Sequence, residues 1–172
     1  FYAISEQVPI ISTAHTTRTP GVATTTGFSN YLVGAFNPTN YRTARIQMRR
    51  FKNDQGDLTD IVGDELWTSI ENEPRAIEIL RTKSGRDSTF SNVNPEADSA
   101  ELIIWNRLTN TGAAYLCNKS LRQESVIWWN WIKREYEMIR DFETKQIKWS
   151  GYGAWSVQAV PEWRWCIGII PS

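Results

Sequence analysis

Residues 40–80 read NYRTARIQMRRFKNDQGDLTDIVGDELWTSIENEPRAIEIL and carry two helical patterns with a strand pattern between them. The first helix is predicted over residues 38–52, because Asn37 can cap it and a proline suits its first position. Apolar residues recur at i, i+3, i+7 and i+10, which predicts one buried face. They are Tyr41, Ala44, Met48 and Phe51. Residues 53–56 then predict a turn that ends this helix.

A short buried strand is predicted near residues 65–70, where aromatic, aliphatic and β-branched side chains favour extended backbone. A second helix follows, with Asn72 as its cap and Pro74 in its first turn. The inward stripe of this helix is predicted to be Ala76, Ile77 and Leu80. Residues 84–99 are polar and form a longer segment than a simple connection needs, which predicts a loop that is either mobile or in contact with a partner.

The second half of the chain is predicted to be mostly β, with Asn-Thr-Gly, Asn-Lys-Ser and Gly-Tyr-Gly breaks between strands. The strand-forming runs are ELIIW (101–105), AAYLC (113–117), SVIWWNWI (125–132), IKWSGYGAWSVQAV (147–160) and WRWCIGII (163–170). Residues 132–142 fit both a helical and a strand period, and a strand is the favoured interpretation. Helices in the first half and strands in the second indicate a single α+β domain over residues 1–172, in which two helices cover a sheet.

The charge and composition argue against several classes of function. Lysine and arginine total 19 residues, as do aspartate and glutamate, so no net field would gather nucleic acid or an anionic membrane. We expect a soluble chain, since no apolar run approaches the ~18 residues of a membrane helix and no signal pattern is present. The single histidine, His15, argues against the usual zinc sites and Ser-His or Cys-His nucleophiles and is interpreted as a structural loop residue. Cys117 and Cys166 are interpreted as reduced thiols in an intracellular protein.

No arrangement of residues predicts an active site, so we expect a protein that is not an enzyme, with no catalytic residues, no cofactor and no bound metal. Three acidic pairs are attributed to helix ends or solvated strand edges rather than to glycosidase chemistry. They are Asp64/Glu65, Glu71/Glu73 and Glu135/Glu137. Asp54 and Asp57 belong to a turn that lacks the ligand spacing of a calcium loop. The arginines of the first helix are expected to face solvent rather than phosphate, and they are Arg42, Arg45, Arg49 and Arg50.

Seven of the nine tryptophans fall between Trp128 and Trp165. Such a density could form a platform that stacks on a sugar or a base. Alternate residues of a strand point to opposite faces, however, so the same side chains can be divided between a core and a contact with another subunit. The second interpretation is favoured and predicts an oligomer. An aromatic carbohydrate-binding module is the alternative.

The order of these motifs is similar to that of one known family. The first helix, turn, strand and second helix of residues 40–80 are preceded by matching passages at 14–16 and 27–30. Further matches follow at residues 92–95, 101–105, 107–108, 114–116 and 163–168. Across residues 12–170 the series resembles that of tailed-bacteriophage major capsid proteins, Mu-like head subunits included. Residues 66–70 replace the family's Leu-hydrophobic-Val-Pro-Pro strand and lack its prolines.

The resemblance implies the capsid fold that tailed phages share with encapsulin shells. An axial domain, with a mixed β-sheet covered by two helices, would be joined by strands that return to a peripheral domain. It also implies a partial subunit, because the family's N-terminal arm, extended loop and spine helix have no evident match in residues 1–172.

The function implied is that of a structural major capsid protein that self-assembles through pentamers and hexamers into the icosahedral head enclosing phage DNA. Scaffold, portal or decoration proteins are implied as further partners, whereas sequence-specific nucleic acid and membranes are not. The implied location is the virion, after assembly in the bacterial host cytoplasm. An encapsulin-like compartment shell is a second alternative.

Overall fold

The computed structural model describes residues 8–83, 93–159 and 162–172. The elements, in chain order, are β1 (Tyr31–Val33), α1 (Pro38–Arg49), β2 (Glu65–Thr68), a 3-10 turn (Ile70–Asn72), α2 (Glu73–Arg81), β3 (Glu101–Ile104), β4 (Ala114–Cys117), α3 (Lys119–Ser125), β5 (Val126–Arg140), β6 (Ile147–Ala159) and β7 (Cys166–Ile170). Of the predicted loop, residues 84–92 lie outside the described part, and residues 93–99 form turns ahead of β3.

Five strands form a mixed sheet in the order β1-β7-β4-β2-β3. The outer strands β1 and β3 run parallel to their neighbours, whereas β4 is antiparallel to both β2 and β7. The strands β5 and β6 pair only with each other, as a separate two-stranded antiparallel hairpin. The α+β class is therefore confirmed.

One face of the five-stranded sheet packs against α1 and α2. Leu66, Leu116 and Ile167 are fully buried on this face and belong to one apolar cluster with the helices. The predicted stripe of α1 is confirmed, because all four of its apolar residues are buried in this cluster. In α2 the residues buried are Ala76, Ile79 and Leu80, so the prediction of Ile77 was wrong. The helix begins at Glu73, and positions i+3, i+6 and i+7 from that start share the inward face, which leaves Ile77 39% exposed.

The caps of the two predicted helices differ. Asn37 caps α1 as predicted, since its side chain accepts a hydrogen bond from the backbone of Asn40 at 2.7 Å. Asn72 does not cap α2 with its side chain. It forms the end of the 3-10 turn, and its amide instead donates to the carbonyl of Thr111 at 3.0 Å. This bond ties the start of α2 to the loop before β4.

The first helix ends three residues earlier than predicted. The backbone of Lys52 leaves the helix to donate to the carbonyl of Gly27 at 3.1 Å, and Lys52 also pairs with Leu58 across the following turn. Gly27 has a φ of +82°, and a Cβ there would lie 2.8 Å from Cγ of Lys52. Tertiary pairing with this glycine therefore stops the helix before its apolar period ends.

The predicted strands of the second half are confirmed, including the extended interpretation of residues 132–142 up to Arg140. The Asn-Lys-Ser break does separate β4 from β5, although a helix occupies it, whereas the Gly-Tyr-Gly break was wrong. Asn118 is the cap of the unpredicted helix α3, and its side chain accepts from the backbone of Leu121 at 2.9 Å. The Gly151 and Gly153 pair lies within β6, and the ring of Tyr136 occupies the space above Gly151. An aromatic ring from the paired strand thus replaces the missing side chain, and the strand continues.

A buried amide joins the amino-terminal segment to the last strand. The side chain of Asn30 is fully buried, and its amide nitrogen lies 2.7–3.2 Å from three backbone carbonyls, those of Ile10, Trp163 and Cys166. Its oxygen accepts from the backbone of Ser12 at 2.8 Å and lies 3.0 Å from Nε2 of His15. The interpretation of His15 as a structural loop residue is confirmed, because its ring is 1% exposed and stacks on Trp163 at 4.3 Å.

Replacing Asn30 should therefore destabilise the whole domain. Asn30→Ala removes the side-chain donor that these backbone carbonyls share, including the buried oxygen of Cys166, and we expect a loss of about 3 kcal/mol or more in the free energy of unfolding, measured by urea denaturation. Asn110→Ala is the matched control, because Asn110 is exposed and bonds only locally to Gly112, and it should cost less than about 1 kcal/mol. Equal losses in both variants would contradict this role.

Candidate functional site

The hairpin of β5 and β6 carries most of the exposed large apolar side chains of the described residues. Every residue of β5 except Ile127 is exposed. Its aromatic side chains are exposed to an unusual degree, with Trp131, Tyr136 and Trp149 all above 70%. A two-stranded hairpin is only marginally stable alone, and a soluble monomer seldom leaves so much aromatic surface in water. The hairpin is therefore the candidate site, as an interaction surface rather than a reaction centre.

One face of the hairpin combines aromatic side chains with arginines, and we call it the arginine face. Its residues follow from the ladder register, in which Trp128 pairs with Val157 and Met138 pairs with Trp149. Its members include Trp128, Asn130, Arg134, Tyr136, Met138, Arg140, Ile147, Trp149, Trp155 and Val157. The rings of Trp128 and Trp155 stack with centroids 6.5 Å apart, and the guanidinium of Arg134 lies 5.9 Å from the Trp155 ring. These contacts hold the aromatic rings in fixed positions across the two strands.

The opposite face carries carboxylates, and we call it the glutamate face. Its members include Trp129, Trp131, Ile132, Glu135, Glu137, Ile139, Lys148, Tyr152 and Ser156. The indole of Trp131 donates to Ser156 at 3.0 Å, and the hydroxyl of Tyr152 donates to Glu135. The bond to this carboxylate raises the pKa of Tyr152. The two faces of one hairpin therefore share aromatic character but differ in their charged groups, with arginines on one and glutamates on the other.

A cleft opens where the hairpin meets the five-stranded sheet. Its volume is about 380 Å³, and Val126 and Val157 at the base of the hairpin line it. The sheet contributes the face turned away from α1 and α2, including Trp67 and Tyr115. The buried indole nitrogen of Trp165, another lining residue, has no hydrogen-bond partner among the described residues. The cleft is thus an apolar continuation of the arginine face.

A buried carboxylate stabilises the floor of this region. Glu65 is 2% exposed and accepts two hydrogen bonds from Arg122, at 3.0 and 3.1 Å, and one from the indole of Trp67 at 3.0 Å. Burial acts to raise the pKa of Glu65, but these hydrogen bonds and the charges of Arg122 and Lys119 outweigh it, so the pKa is lowered. The carboxylate is therefore ionised and structural at neutral pH.

Members of two of the acidic pairs named from the sequence form structural hydrogen bonds. Glu65 is engaged as described, and its neighbour Asp64 accepts from the backbone of Lys119 at the start of α3. Glu135 belongs to the hairpin, where it bonds Tyr152. Among the residues that the structure describes, no group of three histidine, cysteine or acidic side chains is placed to hold a metal ion. The prediction of a turn around Asp54 and Asp57 is confirmed, because Asn53 accepts from two backbone amides there.

The arginines of α1 are more engaged than the sequence predicts. Arg42 pairs with the buried carboxylate of Glu96 at 3.7 Å, and Arg45 pairs with the same carboxylate. Arg49 pairs with Asp60 at 3.4 Å. Arg42 and Arg49 keep most of their side chains in water, as expected, whereas Arg45 is half-buried. Glu96 lies in the long polar loop, where no sequence period marks a buried position. Sequence reasoning therefore could not select it.

The comparison with known families agrees with the order of the sequence motifs. The sequence matches that of a protein family described as phage capsid protein, and the match covers residues 3–169. No curated protein matches the chain. Within the described part of the chain, none of the helices has the length and apolar character needed to span a membrane.

Acidification should test the role of Glu65. Because its folded-state pKa is lowered, the stability it contributes is present above the ordinary glutamate pKa of about 4.3 and is lost as the pH falls through that value towards the folded-state pKa. We expect Glu65→Gln to be less stable than the natural protein by about 2 kcal/mol at pH 7 and to lose less stability between about pH 5 and 3.

Urea denaturation at neutral and acidic pH gives both the difference in stability at neutral pH and the stability that each protein loses on acidification. Glu124→Gln, an exposed change in the neighbouring helix, should reproduce the natural pH profile. If the pH profile of Glu65→Gln matches that of the natural protein as well, the carboxylate is not the titrating group.

Proposed function

Because the chain belongs to the phage capsid protein family, we propose that it self-assembles into the icosahedral head shell that encloses phage DNA. The single observation that carries this proposal is the hairpin, which exposes aromatic side chains on both of its faces. In a shell these side chains would be covered by other protein surfaces. The virion is accordingly the proposed location, after assembly in the host cytoplasm.

The hairpin suits heterologous contacts, in which different surfaces of two subunits meet. Rings of five or six identical chains require contacts of this kind, because each subunit has one neighbour on each side. The arginine face and the glutamate face present different charged groups and so fit different partner surfaces. Each subunit interface in such a shell is expected to exceed about 1,000 Å².

The balance of charge also supports a shell around nucleic acid. With 19 basic and 19 acidic residues the chain has no net charge, so it would not bind the packaged genome nonspecifically. This fits a container that must later release its DNA. We further propose the Mu-like head-subunit type, and that the chain is a partial subunit with the axial domain and strands returning to the periphery. Scaffold, portal or decoration proteins would be its additional partners.

Two alternatives make use of the same features. The exposed indoles of Trp129 and Trp131 would suit a carbohydrate-binding module, in which rings stack on sugar faces. An encapsulin-like compartment shell would use the same subunit contacts around protein cargo. Terminase and portal genes beside the coding gene would favour the phage head, and a peroxidase or ferritin-like gene would favour the compartment.

Assembly is the direct test. We expect the protein with its complete natural N-terminus to form rings or closed shells in negative-stain electron microscopy, with matching light scattering. Trp149→Glu, on the arginine face, should reduce the assembled fraction at least tenfold, because it places a charge where an apolar contact is needed.

Leu58→Glu is the matched control, since Leu58 is 65% exposed but lies in a turn away from the hairpin, and it should assemble normally. Both variants should keep the natural unfolding midpoint. A natural-length protein that stays monomeric at high concentration would overturn the shell function.

A glycan array on the 172-residue chain separates the carbohydrate alternative. We expect no reproducible binding. Binding that disappears in Trp129→Ala or Trp131→Ala, with circular dichroism unchanged, would instead support a sugar-binding role.

A further inference from the structure

The two cysteines are direct partners in the central sheet. Cys117 ends β4, Cys166 begins β7, and they lie opposite each other in the antiparallel ladder. The next backbone hydrogen bond runs from the amide of Asn118 to the carbonyl of Trp165 at 2.7 Å, so the cysteines form a non-hydrogen-bonded pair. In such pairs the Cα atoms approach to about 4.5 Å, which falls inside the range that a disulfide spans.

The sulfur atoms already face each other. The two Sγ atoms are 3.3 Å apart, both residues are 3% exposed, and both thiols are free. A disulfide bond is about 2.05 Å long, so the sulfurs need to approach by little more than 1 Å. Because both side chains lie on the same face of the sheet, this movement requires no change of strand register.

The cleft gives reagents a route to this pair. Cys117 and Cys166 both line it, together with Trp67, Trp105 and Arg122. A volume of about 380 Å³ is within the range of small-molecule sites. The thiols are therefore buried beneath a cleft rather than sealed within the apolar core on the helical face of the sheet.

We propose that Cys117 and Cys166 are an oxidation site, at which a small disulfide oxidant such as oxidised glutathione produces an intramolecular disulfide between β4 and β7. One cysteine, as its thiolate, attacks a sulfur of the oxidant, which forms a mixed disulfide and releases one glutathione thiolate. The second cysteine then attacks the sulfur of the first, which forms the protein disulfide and releases the other glutathione. The two thiol protons pass to the two released glutathiones, the protein loses two electrons, and the oxidant gains them.

The surroundings make this reaction slow and dependent on pH. The hydrogen bond to Cys166 and burial together raise the pKa of Cys117, so little thiolate is present at neutral pH. Arg122 opposes this shift and Glu65, which faces Cys117 from β2, reinforces it. The pair is thus expected to remain reduced in a reducing cytoplasm and to oxidise after release from the cell.

The disulfide would close a loop that contains the entire hairpin. The β5 strand starts after Cys117 and β6 ends before Cys166, so the bond would join the two ends of the segment that carries the interaction surface. Closing a loop of this size restricts the unfolded chain, and we expect the midpoint of thermal unfolding to rise by about 5–15 °C. This inference does not depend on the proposed shell function.

The test uses the folded 172-residue chain with oxidised glutathione at pH 7 and pH 9. Free thiols, counted after denaturation in the absence of reductant, should fall from two per chain to none, and faster at the higher pH. The product should be a monomer without bound glutathione, and dithiothreitol should restore both thiols and the lower midpoint. Cys117→Ser and Cys166→Ser are matched controls that should accumulate the mixed disulfide or keep their single thiol, without the rise in midpoint.

The same count after unfolding and refolding in a glutathione redox buffer covers the case in which the folded cleft excludes the oxidant. An intramolecular disulfide in the refolded protein, with the raised midpoint, supports the pairing. Two free thiols after both treatments, a glutathione adduct on each cysteine, or a disulfide-linked dimer would overturn the proposal.

Discussion

The fold depends on the placement of its last strand, and one buried amide secures that placement. The strand β7 comes at the end of the chain but lies second in the sheet, between β1 and β4. Asn30, adjacent to β1, bonds the carbonyls that flank the entry to β7 and a carbonyl of the amino-terminal segment. An apolar side chain could fill this volume but could not donate hydrogen bonds to these backbone oxygens. The amide therefore favours the placement of β7 beside β1 over other positions of that strand.

The two faces of the sheet built on this strand have different roles. The face towards α1 and α2 carries the continuous apolar core, with Leu66, Leu116 and Ile167 at its centre. The other face carries the carboxylate of Glu65, the two thiols and the aromatic wall of the cleft. Since the hairpin emerges beside this second face, the chain concentrates its exposed aromatic and reactive groups on one side and its structural core on the other.

The hairpin shows why an apolar pattern does not by itself indicate a core. Its strands mix large apolar residues with polar and charged ones, and almost every residue of β5 is exposed because no other described element covers either face. Contacts within the hairpin, such as the ring of Tyr136 over Gly151 and the stacked pair of Trp128 and Trp155, hold the two strands against each other. A surface of this kind reaches its full stability only in contact with other protein, which fits membership of a family of capsid proteins.

The sequence by itself determined the α+β class, helix α1 with its cap at Asn37, and every strand of the second half, because these depend on short-range periods and cap residues. It also indicated the family through the order of its motifs.

Only the tertiary structure decided that α1 stops at the pairing with Gly27, that Ile79 rather than Ile77 faces the core, and that Glu96 is buried. It alone placed β7 between β1 and β4 and brought Cys117 against Cys166. These features join residues far apart in the chain, and the free energy that selects them comes from burial and hydrogen bonding between segments, which no local period records.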